Sequence, residues 1–146
     1  MRVTPPDLEL WLTGYVRALA AAEGLEVSVS NKEPPKLTVP MTRSLIVIRD
    51  DSGPRLSHVT FERSIGASVL AGTRLNDKPA NDLALWLAGV LFDLDLPLGL
   101  DVPPPISAPP IAAVDPSGCN GPYAVPEQLD VARRYLTAQY VAAGSW

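Results

Sequence analysis

The chain holds a single cysteine and a single histidine among its 146 residues. Cys119 alone makes an internal disulfide impossible, and with His58 as the lone imidazole no cluster has the ligand spacing of a zinc site. A reducing, cytoplasmic compartment fits that usage best. Long apolar runs are also missing: the longest, Leu83–Phe92, is ten residues, whereas a spanning helix needs about 20. Asp7, Glu9, Arg17 and Glu23 interrupt the first apolar region, the wrong pattern for a secretory signal. Neither a leader nor a membrane span is expected. Glycine-rich phosphate cradles are lacking as well, since "AGT" and "SGCNG" have neither the lysine nor the spaced glycines that such loops need.

What the chain does have is proline: 16 residues, about twice the usual share of ~5%. Apolar residues make up 47% and charged residues 19%, as in ordinary globular proteins. The length suits one domain, residues 1–146, with a core of its own. The prolines concentrate at about 31–40 and 101–126, where they forbid helix and leave only edge strands or extended loops.

Thr4-Pro5-Pro6-Asp7 reads as a helix start with Thr4 as the cap. Leu8, Trp11, Leu12, Tyr15, Leu19 and Ala22 then form one apolar helical face, with Gly24 as the stop. Leu25, Val27 and Val29 alternate with polar residues as in a half-buried strand. Ser44–Arg49 has the apolar, β-branched character of a central strand. "DDSGPR" supplies turn chemistry, and Leu56–Ser68 is expected to pair back as the other arm of a hairpin, with His58 at its start. Asn76–Pro79 opens a second helix with the stripe Ala80, Leu83, Leu87, Val90, Leu91, Leu94. Helical spacing and alternation compete from Gln128 to Ala142; the alternation favours a strand from about Arg133 onward. These elements predict an α+β fold: a single mixed or antiparallel sheet of about four to five strands with two main helices packed on it.

No constellation demands an active site. Cys119 sits between glycines in a loop, but a nucleophilic thiol needs a neighbouring base or cation. Asp93 and Asp95 straddle a helix end, where solvated carboxylates are usual, and His58 reads as a structural residue. Charge is distributed more unevenly than the net −4 implies. Arg43, Arg49, Arg55, Arg63, Arg74 and Lys78 fall within one basic stretch, whereas Pro79–Ala132 has no Lys or Arg and carries Asp82, Asp93, Asp95, Asp101, Asp115, Glu127 and Asp130. Such a split describes either two solvated faces or two sides that attract each other's copies. The acidic balance is unlike that of a dedicated nucleic-acid binder.

The stretches "SLIVIRDDSGPRLSHVTFERSIGASVLAG" (44–72), "NDKPANDLALWLAGVL" (76–91) and "SGCNGPYAVPEQLDVARRYLTAQYVAAGS" (117–145) resemble the tail terminator proteins of long-tailed bacteriophages, small α+β subunits that cap the tail tube. The shared order is a strand, a glycine turn, a returning strand, a proline-started helix, and a Gly-Pro loop leading to an Arg-Tyr strand. Where that family's turn often has two glycines, this chain has Asp51-Ser52-Gly53-Pro54. The resemblance implies a virion protein that forms a homohexameric ring, ends tube polymerisation and offers the joining surface for the head. Its partners would be other copies of itself, the tail tube protein and the head-closure or connector protein. Genomic DNA would pass through the lumen unread, with no cofactor, metal or catalytic residue, and the ring would assemble in the host cytoplasm. On that implication the ring interface draws on Arg49, Asp50, Asp51, Arg55, Arg63, Arg74, Asp115, Glu127, Asp130, Arg133, Arg134 and Tyr135. The loops Asn31–Pro40, Asp50–Arg55 and Asp115–Pro126 would meet the neighbouring rings. Another neck subunit, head-closure or tail-completion, fits the same features. So, in a different class, does a small ligand-binding or Cys-dependent α+β enzyme using Cys119 and His58.

Overall fold

The computed structural model describes every residue from Met1 to Trp146. Helix α1 covers Leu8–Ala22, and its cap is Asp7, whose carboxylate accepts from the Leu10 amide at 3.0 Å. Thr4, expected in that role, instead bridges to Ser145 with backbone bonds of 2.7 and 3.0 Å. Pro5 and Pro6 intervene, so the cap falls three residues later. The helix closes as expected at Gly24, in the left-handed region at φ 74°. Gly24 donates to Ala21 and Leu25 to Ala20, which satisfies the last carbonyls.

The strands are β1 (Val27–Ser30), β2 (Ser44–Asp50), β3 (Thr60–Ala71), β4 (Ile111–Val114), β5 (Asn120–Val125) and β6 (Ala132–Ala143); helix α2 spans Lys78–Leu91. They form one mixed, open sheet in the order β1-β2-β3-β6-β4, with β5 also on β6. Only β1 and β2 run parallel; the other pairs are antiparallel. The sheet exceeds the expected strand number because β4 and β5 both emerge from the second proline-rich stretch and share one edge of β6. Ile111–Val114 pairs near the end of β6 and Asn120–Val125 nearer its start.

Alternation along the strands decides which face each side chain takes. Ile46 and Ile48, Ile65, Ala67 and Val69, and Leu136, Ala138 and Tyr140 point to one face. There they join Leu8, Leu12, Tyr15 and Val16 of α1 and Ala84, Leu87 and Leu91 of α2 in the main core. Both helices thus cover one face of the sheet. Leu94, expected in the α2 stripe, is 61% exposed because the helix ends at Leu91. On the opposite face, Leu45, Val47, Leu70 and Val131 make a smaller core covered by Leu37, Val39 and Met41. The first proline-rich loop is therefore a lid over part of the sheet.

The hairpin reverses later than the sequence suggests. Asp51 and Ser52 still bond to Ser64, and Pro54 to Glu62, so "DDSGPR" is an irregular continuation of the β2 arm. The reversal lies at Ser57–Thr60, where the Ser57 hydroxyl accepts from the Val59 and Thr60 amides. His58 is consequently at the exposed tip rather than at a strand start.

The fully buried Tyr140 hydroxyl donates to the Leu91 carbonyl at 2.6 Å, satisfying the last turn of α2 from inside the sheet. Tyr140→Phe leaves that carbonyl unpaired and is expected to cost about 1–3 kcal/mol in urea unfolding. Tyr123→Phe, at an exposed position on β5, should stay within ~0.5 kcal/mol of wild type.

Candidate functional site

The part of the sheet's second face left open by the lid is where charge collects. Arg49 of β2, Ser68 of β3, Arg133 and Tyr135 of β6, and Glu33 of the lid line a cavity of about 400 Å³. The Tyr135 hydroxyl and the Asp51 carboxylate both lie over Gly66. A Cβ there would clash with the hydroxyl and stand 3.1 Å from the carboxylate, so only glycine lets them approach the strand.

Arg133 organises this surface. Its Nη1 donates to Glu33 at 2.6 Å and its Nε to Glu127 at 2.9 Å, so one guanidinium joins the lid to the connection before β6. Each bond is charge-assisted. The Arg133 hydrogen bond, ahead of smaller backbone contributions, holds the Glu127 carboxyl below its usual range. The Glu33 bond is the main reason that Arg133 is raised above its own. Arg134, one residue on, faces the helices and donates to Asp77 at 2.7 Å, at the start of α2.

The remaining expected interface residues scatter into separate local sets. Asp50 accepts from Ser52 and lies 3.7 Å from Arg63, which also donates to the carbonyls of Gly53 and Glu62. Arg55 stacks 4.6 Å from the Phe61 ring centroid and donates to the His58 carbonyl at 2.7 Å. Asp130 accepts from the Arg74 amide at 3.1 Å. Asp115 caps the short 3-10 turn Pro116–Gly118 through Ser117. Most of these charges are thus used within the chain. Arg49 differs, making neither an ion pair nor a side-chain hydrogen bond. Lys32 and Lys36 on the lid are exposed and likewise without an ionic partner. Sequence reasoning missed Glu33 and Asp77 as arginine partners, and no local signal marks a pairing that spans 100 or 57 residues.

Cys119 and His58 are not brought together. The Cys119 thiol donates to the Asp115 carbonyl at 3.4 Å, and Asn120 beside it pairs with Thr137. His58 lies beyond Thr60, which pairs with Ala143. Six residues of strand, roughly 20 Å, separate the two registers. No helix is long and apolar enough to cross a membrane. Comparison with models of known protein families gives no match, and comparison with curated protein sequences gives none either.

The Glu127 carboxyl sits below its ordinary 4.5 in the folded chain. Its contribution to stability is therefore fully present above about pH 4.5 and is lost as pH falls through the depressed value. Glu127→Gln is expected to flatten the acid limb of a stability-against-pH curve measured by urea unfolding.

Proposed function

We propose that this chain is a tail-terminator subunit that assembles as a ring, most simply a hexamer, on the end of a phage tail tube. There it stops polymerisation and presents the surface that the head connector joins. The observation that carries the ring is the distribution of charge without an ion-pair partner: Lys32, Lys36 and Arg49 stand on the lid and open sheet face, with Asp51 beside them, whereas Glu23, Asp93, Asp95 and Asp101 stand on the helix side. Opposite charges on opposite sides suit head-to-tail contacts between copies. The family is supported by the order of the resembling strings, which fold as the β2–β3 hairpin, α2 and the β5–β6 pair. Its proposed partners are further copies, the tail tube protein and a head-closure protein, with DNA passing through the lumen unread.

The internal ion pairs narrow the interface. Arg63, Arg133 and Arg134 hold the subunit together, so the contact draws on Arg49, Asp51 and the hairpin tip that carries Arg55 and His58. A different neck subunit would share these features, and the tube protein discriminates between them.

Added to polymerising tail-tube protein from the same genome, the purified chain should shorten the tubes and leave a ring of density at one end in negative-stain images. Unchanged tube lengths with bare ends refute the reading. Arg49→Glu should weaken end capping about tenfold, as expected for one interfacial ion pair, while its urea midpoint stays at the wild-type value.

A further inference from the structure

The gap between α1 and α2 holds a cavity of about 560 Å³, distinct from the sheet face, with Tyr15 and Trp86 in its wall and Glu23, Asp93 and Asp101 around it. Tyr15 is only 2% exposed, and its ring is fixed by stacking on Trp11 at 5.0 Å between centroids. A buried tyrosine hydroxyl ordinarily finds a partner, as Tyr140 does on Leu91. The Tyr15 hydroxyl makes no hydrogen bond within the chain and is not sealed from solvent. It therefore opens into the cavity that the ring lines.

The surrounding chemistry is one-sided. The Trp86 indole N–H already donates to Glu23 at 3.3 Å, and no Lys or Arg occurs from Pro79 to Ala132 to neutralise Asp93 or Asp101. Neither aspartate has an ion-pair partner elsewhere in the chain. The cavity thus offers oxygen acceptors, an aromatic face and an apolar wall of Leu19, Leu85 and Val90. The acids do not converge as metal ligands do, which favours a bulkier cation whose charge is spread over several N–H donors.

We propose that this cleft binds an organic cation, an ammonium or guanidinium group on an apolar stem. Asp93, Asp101 and Glu23 surround the head, the Tyr15 oxygen accepts one of its hydrogens, and the stem lies along the apolar wall. Trp86 adds the attraction of an aromatic face for the cation. Burial, followed by the fields of Asp101, Asp93 and Glu23, pushes the Tyr15 phenol up to about 12. At neutral pH the hydroxyl is therefore uncharged, and the negative charge of the site comes from the carboxylates. The same head group is carried by small free amines and guanidines and by Lys or Arg side chains of a second copy.

Titration of the isotope-labelled protein with n-butylguanidinium and n-pentylammonium, followed by amide and indole NMR shifts, tests the site. Saturable shifts at Trp86 Nε1–H and the Gly89 amide are expected for both cations and not for 1-pentanol. Tyr15→Phe should weaken binding about threefold. Asp93→Asn combined with Asp101→Asn should weaken it at least about tenfold. The Asp93 carboxylate accepts from the Asp95 amide at 2.9 Å, and the side-chain carbonyl introduced by Asp93→Asn can take over that bond. A thermal melt of each variant verifies folding. Absence of saturable shifts in the folded wild type, or equal response to 1-pentanol, overturns the proposal. Light scattering over a concentration series separates the two sources. If the double variant also loses self-association, the natural cation is a side chain of another copy; if it self-associates as wild type does, the cation is a small molecule. Because the probe titration needs no tube, its failure is distinguishable from failure of the tail-terminator reading.

Discussion

The pairing of β3 with β6 is the constraint on which the other elements depend. Twelve consecutive residues of one strand, Thr60–Ala71, pair without a break with twelve of the other, Ala132–Ala143. Their sequence separation makes this a contact that closes a long loop, and its entropic cost has to be offset by burial on both faces. On one face Leu136, Ala138 and Tyr140 complete the core beneath the helices. Adjacent residues of a strand point to opposite faces, so Arg133 and Arg134 divide between two tasks. The first joins the lid to the approach to β6, and the second reaches the start of α2.

The prolines become intelligible in this frame. A loop rich in proline loses less conformational entropy on ordering than an ordinary one, and here the ordered loop also places Leu37, Val39 and Met41 over the second face. At the far edge of the sheet, the carbonyls of Val27 and Val29 accept from the guanidinium groups of Arg43 and Arg17 at 3.1 and 2.7 Å. Two arginines therefore occupy acceptors that an added strand would otherwise use, a protection for an exposed edge. Basic residues that look surplus in the sequence thus divide into those that seal backbone, those that hold loops and a few that remain free.

Helices and central strands were legible in the sequence because burial imposes a period on them. The α1 face, the apolar run of β2 and the alternation of β6 all follow from residues a few positions apart. The position of the hairpin reversal was not legible, because Asp51–Arg55 has turn-forming residues yet keeps pairing with the opposite arm. The deciding contacts come from Ser57 and from Arg55 over Phe61, and neither has a distinctive local pattern. Nor could the sequence separate β4 from β5, since their strand character comes from the edge of β6 that they share. The expected interface residues were recognised as charged and clustered by sequence region, but which were spent internally depended on tertiary pairs such as Arg133 with Glu33.

Removing those internal pairs from consideration sharpens the argument about symmetry. A two-fold contact packs one patch on its own copy, so a dimer formed through the lid side would bring Lys32, Lys36 and Arg49 near their counterparts, and one formed through the helix side would do the same for Asp93, Asp95 and Asp101. Like charges brought together in that way oppose association and do so most strongly when partly desolvated. A head-to-tail contact instead sets the basic lid side of one subunit against the acidic helix side of the next. Such a contact propagates, and it terminates only when the rotation between neighbours closes a ring. On the proposed reading the charge polarity suits a cyclic assembly better than a two-fold dimer, while the number of subunits depends on an angle that charge alone does not set.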